Sequence, residues 1–188
     1  MILFEDELEV SEEYIPREME KYIGNDGKAI IPNSYNVIDR KAFYLCNKLK
    51  SVIIPDTVTH ICEEAFVDCT NLENIELPNS LIYIGYSAFF HCGFKSIIIP
   101  NSVTKIEDYA FADTKLESIE IPTSVTSIED GTFYNCKSLK SIVIPNSVTF
   151  ISDDAFDDCS KDLIITTSKG SYAEKYANEN GIKVKLIQ

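Results

Sequence analysis

Two histidines, six cysteines and one dense group of aspartates are the side chains with chemical potential in this 188-residue sequence. Histidine could move protons near neutral pH. Cysteine could act as a nucleophile, bind a metal or form disulfides. Paired carboxylates could gather calcium, which takes several oxygen ligands. Spacing decides how far each idea goes. His60 and His91 fall at different phases of the sequence pattern described below, so nothing in the sequence sets them face to face. Asp153-Asp154 and Asp157-Asp158 flank Ala155-Phe156, without the Asp-Gly loop spacing of a calcium-binding hand. No G-x-S-x-G elbow, phosphate-cradling glycine loop, H-E-x-x-H pair or N-x-Ser/Thr acceptor occurs. No catalytic residue, metal ligand or cofactor is expected.

The cysteines belong to a pattern that organises most of the chain. Proline recurs at 32, 55, 78, 100, 122 and 145, with separations of 23, 23, 22, 22 and 23 residues. Six residues after each proline stands an isoleucine: Ile38, Ile61, Ile84, Ile106, Ile128 and Ile151. Eleven after each stands a phenylalanine: Phe43, Phe66, Phe89, Phe111, Phe133 and Phe156. Three residues further come Cys46, Cys69, Cys92, Thr114, Cys136 and Cys159. A position that takes Cys or Thr reads as a small buried site for a weak donor, so packing outranks a disulfide framework. Cys62 lies off this ladder beside Glu63 and Glu64 and is the thiol expected nearest the surface.

A tandem repeat needs an element that positions these columns, and the segment before each proline supplies it. Leu49–Ile54, Leu72–Leu77, Phe94–Ile99, Leu116–Ile121 and Leu139–Ile144 each read as a short strand with an L-x-x-I-x-I inward set. None can bury a face alone, so stability must come from stacked neighbours. Proline ends each strand, and the pair after it (Asn-Ser, Asp-Thr or Thr-Ser) reads as turn chemistry. The third and fourth copies are one residue shorter between the phenylalanine and the strand, which predicts a local change of curvature.

Alternation puts the residues two and four before each proline on the outer, concave face of a parallel sheet. The candidate ligand-binding surface is therefore Ile30, Ser51, Ile53, Asn74, Glu76, Ser96, Ile98, Ser118, Glu120, Ser141 and Val143. Aliphatic residues interleaved with two glutamates make a partly apolar, weakly acidic stripe of the kind that marks contact sites.

The unit Cys-x-x-L-x-x-I-x-I-Pro-x-Ser-Val-x-x-Ile-x-x-x-Ala-Phe resembles the treponemal subclass of leucine-rich repeats found in BspA-like proteins, from about Lys28 to the end. The resemblance implies a right-handed leucine-rich-repeat solenoid. Its parallel sheet would line the concave face, with turns or short helical pieces on the outer arc and a helix-strand cap at the C-terminus. It also implies a protein ligand and a place at the bacterial surface or in secretion. Bottom-up, the cap reads as a helix from about Ser171 to Asn180, with Tyr172, Ala173, Tyr176 and Ala177 on one face. Gly181 ends it, and a short strand follows.

Charge sets the remaining bounds. Lys and Arg total 17 against 30 Asp and Glu, a net charge of −13, which argues against a nucleic-acid partner. Residues 1–27 carry −7 of it and are expected to form an acidic N-terminal cap with a leading strand and a short helix after Pro16. Repeats then fill 28–162 and the C-terminal cap 163–188. No run of 18 apolar residues exists, so no membrane insertion is expected. Met1–Glu7 lacks the positive region of a secretory signal, which leaves the compartment open between cell surface and cytoplasm. The expected function is a non-enzymatic, monomeric protein-binding module. The alternative is an intracellular spacer or weakly self-associating scaffold.

Overall fold

The computed structural model describes residues 18–187. The expected leading strand and most of the acidic segment fall outside them. The described chain opens with a 3-10 helix, Glu18–Tyr22, whose Met19 is buried in the common core.

Each following repeat makes one turn of a solenoid with three sides. The first side is the predicted parallel sheet. Lys28–Ile30, Ser51–Ile53 and Asn74–Glu76 pair in register, and Ser118–Glu120, Ser141–Val143, Ile164–Ser168 and Lys183–Ile187 do the same. The second side is a column of two-residue strands that end on the repeat isoleucines, from Val37–Ile38 to Phe150–Ile151. Between the two sides the chain turns at each proline, whose carbonyl accepts from the amide three residues on, as from Val58 to Pro55 and Val103 to Pro100. In four repeats the hydroxyl two residues after the proline bonds the previous repeat rather than its own turn. Thr57, Ser80 and Ser147 donate to the carbonyls of Tyr35, Val58 and Val125.

The third side is an arc of turns around the phenylalanines. The six rings stack nearly parallel along the axis, with successive centroids 5.1, 5.3, 5.5, 5.9 and 5.4 Å apart, and Tyr176 of the cap closes the row at 6.1 Å. Two residues before the ring, Lys41, Glu64, Ser87, Tyr109 and Gly131 have positive φ; two after it, so do Leu45, Asp68, His91, Asp113, Asn135 and Asp158. A side chain in that region costs about 1–2 kcal/mol. What holds it there is a main-chain ladder between arcs, in which only Gly131 turns its amide to a side chain, that of Asp154. Phe43, Phe66, Phe89, Phe111 and Phe133 each donate to the residue before the next repeat's ring, and flanking amides do likewise at 2.7–3.1 Å. Gly131 leaves the space that the Tyr109 ring fills, since a Cβ there would lie 2.4 Å from that ring.

The cysteine ladder packs just inside this arc. The thiols of Cys69, Cys92, Cys136 and Cys159 each donate to the phenylalanine carbonyl one repeat earlier, at 3.0–3.2 Å. Thr114 instead bonds its own repeat's Phe111 carbonyl. All six cysteines are free.

One expected strand is missing. Phe94–Ile99 forms no strand, and the sheet is interrupted there. The cause lies at the preceding corner. Where the second repeat reads Cys69-Thr70-Asn71-Leu72, the third reads Cys92-Gly93-Phe94, so the chain must cut across. Gly93 passes so close to the previous turn that a Cβ would sit 2.2 Å from the Thr70 carbonyl oxygen. The segment emerges out of step with Asn74–Glu76, and the ladder does not form. The short-strand column is interrupted too, between Lys105–Ile106 and Ser127–Ile128.

At the C-terminus the helix runs Tyr172–Glu179, with Ser171 accepting from the Glu174 amide as its N-cap. Ala173, Tyr176 and Ala177 are buried as expected, but Tyr172 points to solvent. Gly181, at φ +68°, provides the left-handed stop, and Ile182 donates back to the Ala177 carbonyl.

Two stability measurements test this packing. Phe111→Ala should cost ~3–5 kcal/mol in chemical denaturation. Phe43→Ala should cost less, because Phe43 stacks on Phe66 alone. Leu45→Gly should gain about 1 kcal/mol by relieving an exposed side chain at φ +58°; a loss instead would mean that Leu45 packs more than it strains.

Candidate binding face

The strands carry their alternate residues onto one open face because the inward set is held by the core. Val52, Ile75, Ile119 and Ile142 are buried, and their neighbours in sequence must point away. Register then fixes who stands beside whom. On one side of the interruption lie the rows Lys28–Ser51–Asn74 and Ile30–Ile53–Glu76. On the other side lie Ser118–Ser141–Ile164 and Glu120–Val143–Thr166. Ser96 and Ile98 occupy the interruption. Ile30 is 59% exposed, Ile53 38% and Ile98 86%, whereas Val143 is only half-exposed. The candidate residues thus form two short patches with Ile98 between them, rather than one even stripe.

Sequence reasoning ended this face at Val143. The rows continue through Ile164 and Thr166 to Lys183 and Lys185. The signal was present as the alternation of Ile164–Ser168 and Lys183–Ile187, without the proline that marked the other strands. The added lysines make the face acidic at Glu76 and Glu120 and basic at its C-terminal end.

The side chains with chemical potential lie elsewhere and apart. His60 accepts or donates at 2.8 Å with Thr59 Oγ1 and leans on the Tyr83 ring. His91 is on the outer arc, 2.6 Å from Asp68 Oδ1. Asp154 is occupied, bonding the Gly131 amide and the Ser152 hydroxyl, while Asp153, Asp157 and Asp158 are exposed. Among the described residues no three carboxylate, histidine or thiol groups converge to hold a metal. Tyr83 donates to Glu107 at 3.2 Å, and burial together with that carboxylate pushes its hydroxyl up to about 12.

Cys62, expected nearest the surface, is half-buried at the start of the arc, where its amide donates to the Ile38 carbonyl. Burial, then the charges of Asp39 and Glu63, push its thiol up to about 11. Burial raises Cys69 and Cys92 further still.

Comparison with known proteins agrees with this geometry. The profile of the BspA type leucine rich repeat region matches six copies across residues 28–183. A search of curated proteins finds no significant match. Among solved structures, a leucine-rich repeat protein from Bacteroides ovatus is similar at 28% identity with a TM-score of 0.65, covering 87% of this chain and 53% of that one. A leucine rich cell surface protein from Faecalibacterium prausnitzii is 30% identical with a TM-score of 0.51, over 87% of this chain and 36% of its own. The T. pallidum leucine rich repeat protein, 23% identical with a TM-score of 0.63 over 86% of both chains, shares the fold. The present chain spans about half the length of the Bacteroides ovatus protein.

The raised thiols give a testable pH dependence. Between about 9 and about 11 an unfolded Cys62 has lost the proton that the folded protein keeps, so this group lowers stability as pH rises through that window. Native protein at pH 8 should react with iodoacetamide far more slowly than denatured protein, and Cys62→Ser should soften the alkaline loss of stability. Fast labelling of Cys62 at pH 8 would contradict the burial described.

Proposed function

We propose, on the premise that this chain belongs to the BspA-type leucine-rich repeat family, that its open sheet face binds a protein ligand and performs no catalysis. The observation that carries the reading is the exposure of Ile98, 86% open at the middle of the face, with Glu76 and Glu120 on the two flanking strands. An isoleucine left in water at the centre of a repeat array contributes nothing to folding. Covered by a partner, it would contribute the burial of a large aliphatic side chain, about 1.5–3 kcal/mol.

Ile30 and Ile53 extend the apolar part of the contact, and Ser51, Asn74, Ser96, Ser118 and Ser141 keep the face low enough for a partner to approach the backbone. Glu76 and Glu120 would set the register of a partner with basic groups. Val143 would add contact at the far side. In this reading residues 28–162 form the ligand-bearing array, and 163–188 close its end while extending the sheet. The similarity to a leucine rich cell surface protein favours an adhesive role at a bacterial surface.

Replacing Ile53 and Ile98 by Lys should abolish capture of the ligand in pull-downs from host and bacterial extracts, with the far-ultraviolet spectrum unchanged. Equal capture by the folded double variant would sink the proposal.

A further inference from the structure

The interruption at Phe94–Ile99 is more than a missing strand. No backbone hydrogen bond joins residues 93–99 to 71–77, and the amides of residues 96–99 donate to no group among the described residues. On the other flank the segment is tied only where it begins, by Glu117 donating to the Lys95 carbonyl at 2.9 Å. A cleft of about 370 Å³ opens along the break, lined by Glu73, Asn74, Glu76, Ser96 and Ile98 with Ile75 and Ile97 at its floor. The disturbance reaches the next turn. The Ser102 hydroxyl is buried without a partner among the described residues, although Thr57, Ser80, Ser124 and Ser147 at the same repeat position bond the preceding repeat. The ladder resumes at Thr104, which donates to Ile82.

Charge at the break is one-sided. Lys50, Glu73, Lys95, Glu117 and Lys140 form a row of alternating sign at the strand entrances. Lys95 turns forward to Glu117 at 3.0 Å, away from the cleft. Among the described residues neither Glu73 nor Glu76 makes an ion pair, and both are exposed. The cleft therefore offers free main-chain groups, two unneutralised carboxylates and one exposed isoleucine.

We propose that this mid-sheet break is a docking slot for an extended basic peptide segment. The segment pairs its main chain with residues 96–99 and 74–77, sets Lys or Arg side chains on Glu73 and Glu76, and lays an apolar side chain on Ile98. Strand addition of this kind takes its affinity from main-chain bonds and its selectivity from alternate side chains. The slot deepens the reading of the open face as a protein-binding surface and rests on it.

The probe is a fluorescein-labelled, blocked hexapeptide of alternating Lys and Val. Its two controls are the same peptide N-methylated at alternate residues and a version with Glu for Lys. Anisotropy titration of the full chain should show the Lys-Val peptide binding at least about tenfold tighter than either control, which lack the main-chain donors or reverse the charge. Hydrogen exchange should show new protection at residues 96–99. Glu73→Lys with Glu76→Lys should weaken binding by about tenfold, whereas Asp153→Lys with Asp157→Lys, the same charge change on the outer arc, should leave it nearly unchanged. Ile30→Lys with Ile53→Lys serves as the variant of the face outside the slot. Absent binding, protection elsewhere on the chain, or equal affinity for the N-methylated peptide would overturn the slot. Loss of a captured protein ligand in the Ile30/Ile53 variant, with full retention in the Glu73/Glu76 variant, would overturn the slot while leaving the broader face intact.

Discussion

Each turn of this solenoid buries a phenylalanine only because the next turn brings another ring to within 5.1–5.9 Å. That contact dictates the rest. Rings in a row must recur at one angular position, so every element between them must complete one circuit and return. The isoleucine column, the proline corner and the cysteine thiols are all placed by this need for closure. The stack also explains why a helix follows the last repeat. Without Tyr176 over Phe156, and Ala173 and Ala177 beside it, the last ring would face water.

The arc around the rings shows how strain is distributed when one contact takes precedence. Two residues after the ring, Asp68, His91, Asp113, Asn135 and Asp158 are types that tolerate the left-handed region, but two before it Lys41, Glu64, Ser87 and Tyr109 show no such preference. The conformation is imposed by the hydrogen-bond ladder between successive arcs, which runs from the first repeat to the last and passes through a side chain only where Gly131 donates to Asp154. A local penalty is outweighed by amides that pair and rings that stack, as expected where neighbouring repeats rather than single repeats fold cooperatively. Where a neighbouring side chain fills the space, as the Tyr109 ring does at Gly131, the sequence does change.

Repetition is what made so much legible beforehand. Six copies in one phase reveal which positions face inward, and the structure buries the isoleucine, phenylalanine and cysteine columns accordingly, with Cys159 only partly covered. What repetition hides is where the copies fail to match. Ser96-Ile97-Ile98-Ile99 has the strongest strand composition in the chain, yet it forms no strand. Strand formation is a property of a pair, and propensity describes only one partner. The left-handed arc was only partly legible: Asp, Asn or His two residues after five of the six rings hints at it, but its cause lies in the neighbouring turn. Of the candidate face, the rows on either side of the break could be read from alternation. Their continuation into Lys183 and Lys185 could not be read from the repeat, because the proline marker stops at Pro145.

The missing residue before Phe94 had to be absorbed somewhere, and the side that absorbed it follows from relative strengths. The arc holds its ladder and a buried ring stack, so a slip there would orphan amides and open a cavity together. The open sheet carries three-residue strands with one face in water, and losing one strand exposes amides that solvent can still reach. The fault therefore appears on the exposed side. The step into the shortened repeats breaks the sheet, whereas the step out of them does not: Lys140 donates to Glu117 at 2.9 Å as in full-length copies. The corner of the third repeat is distinguished by Gly93, which lets the chain run against the Thr70 carbonyl, while the fourth has Lys115 and Leu116 at the equivalent corner and keeps its strand. Two deletions of equal length thus have different consequences because only one is combined with a residue small enough to let the corner collapse inward.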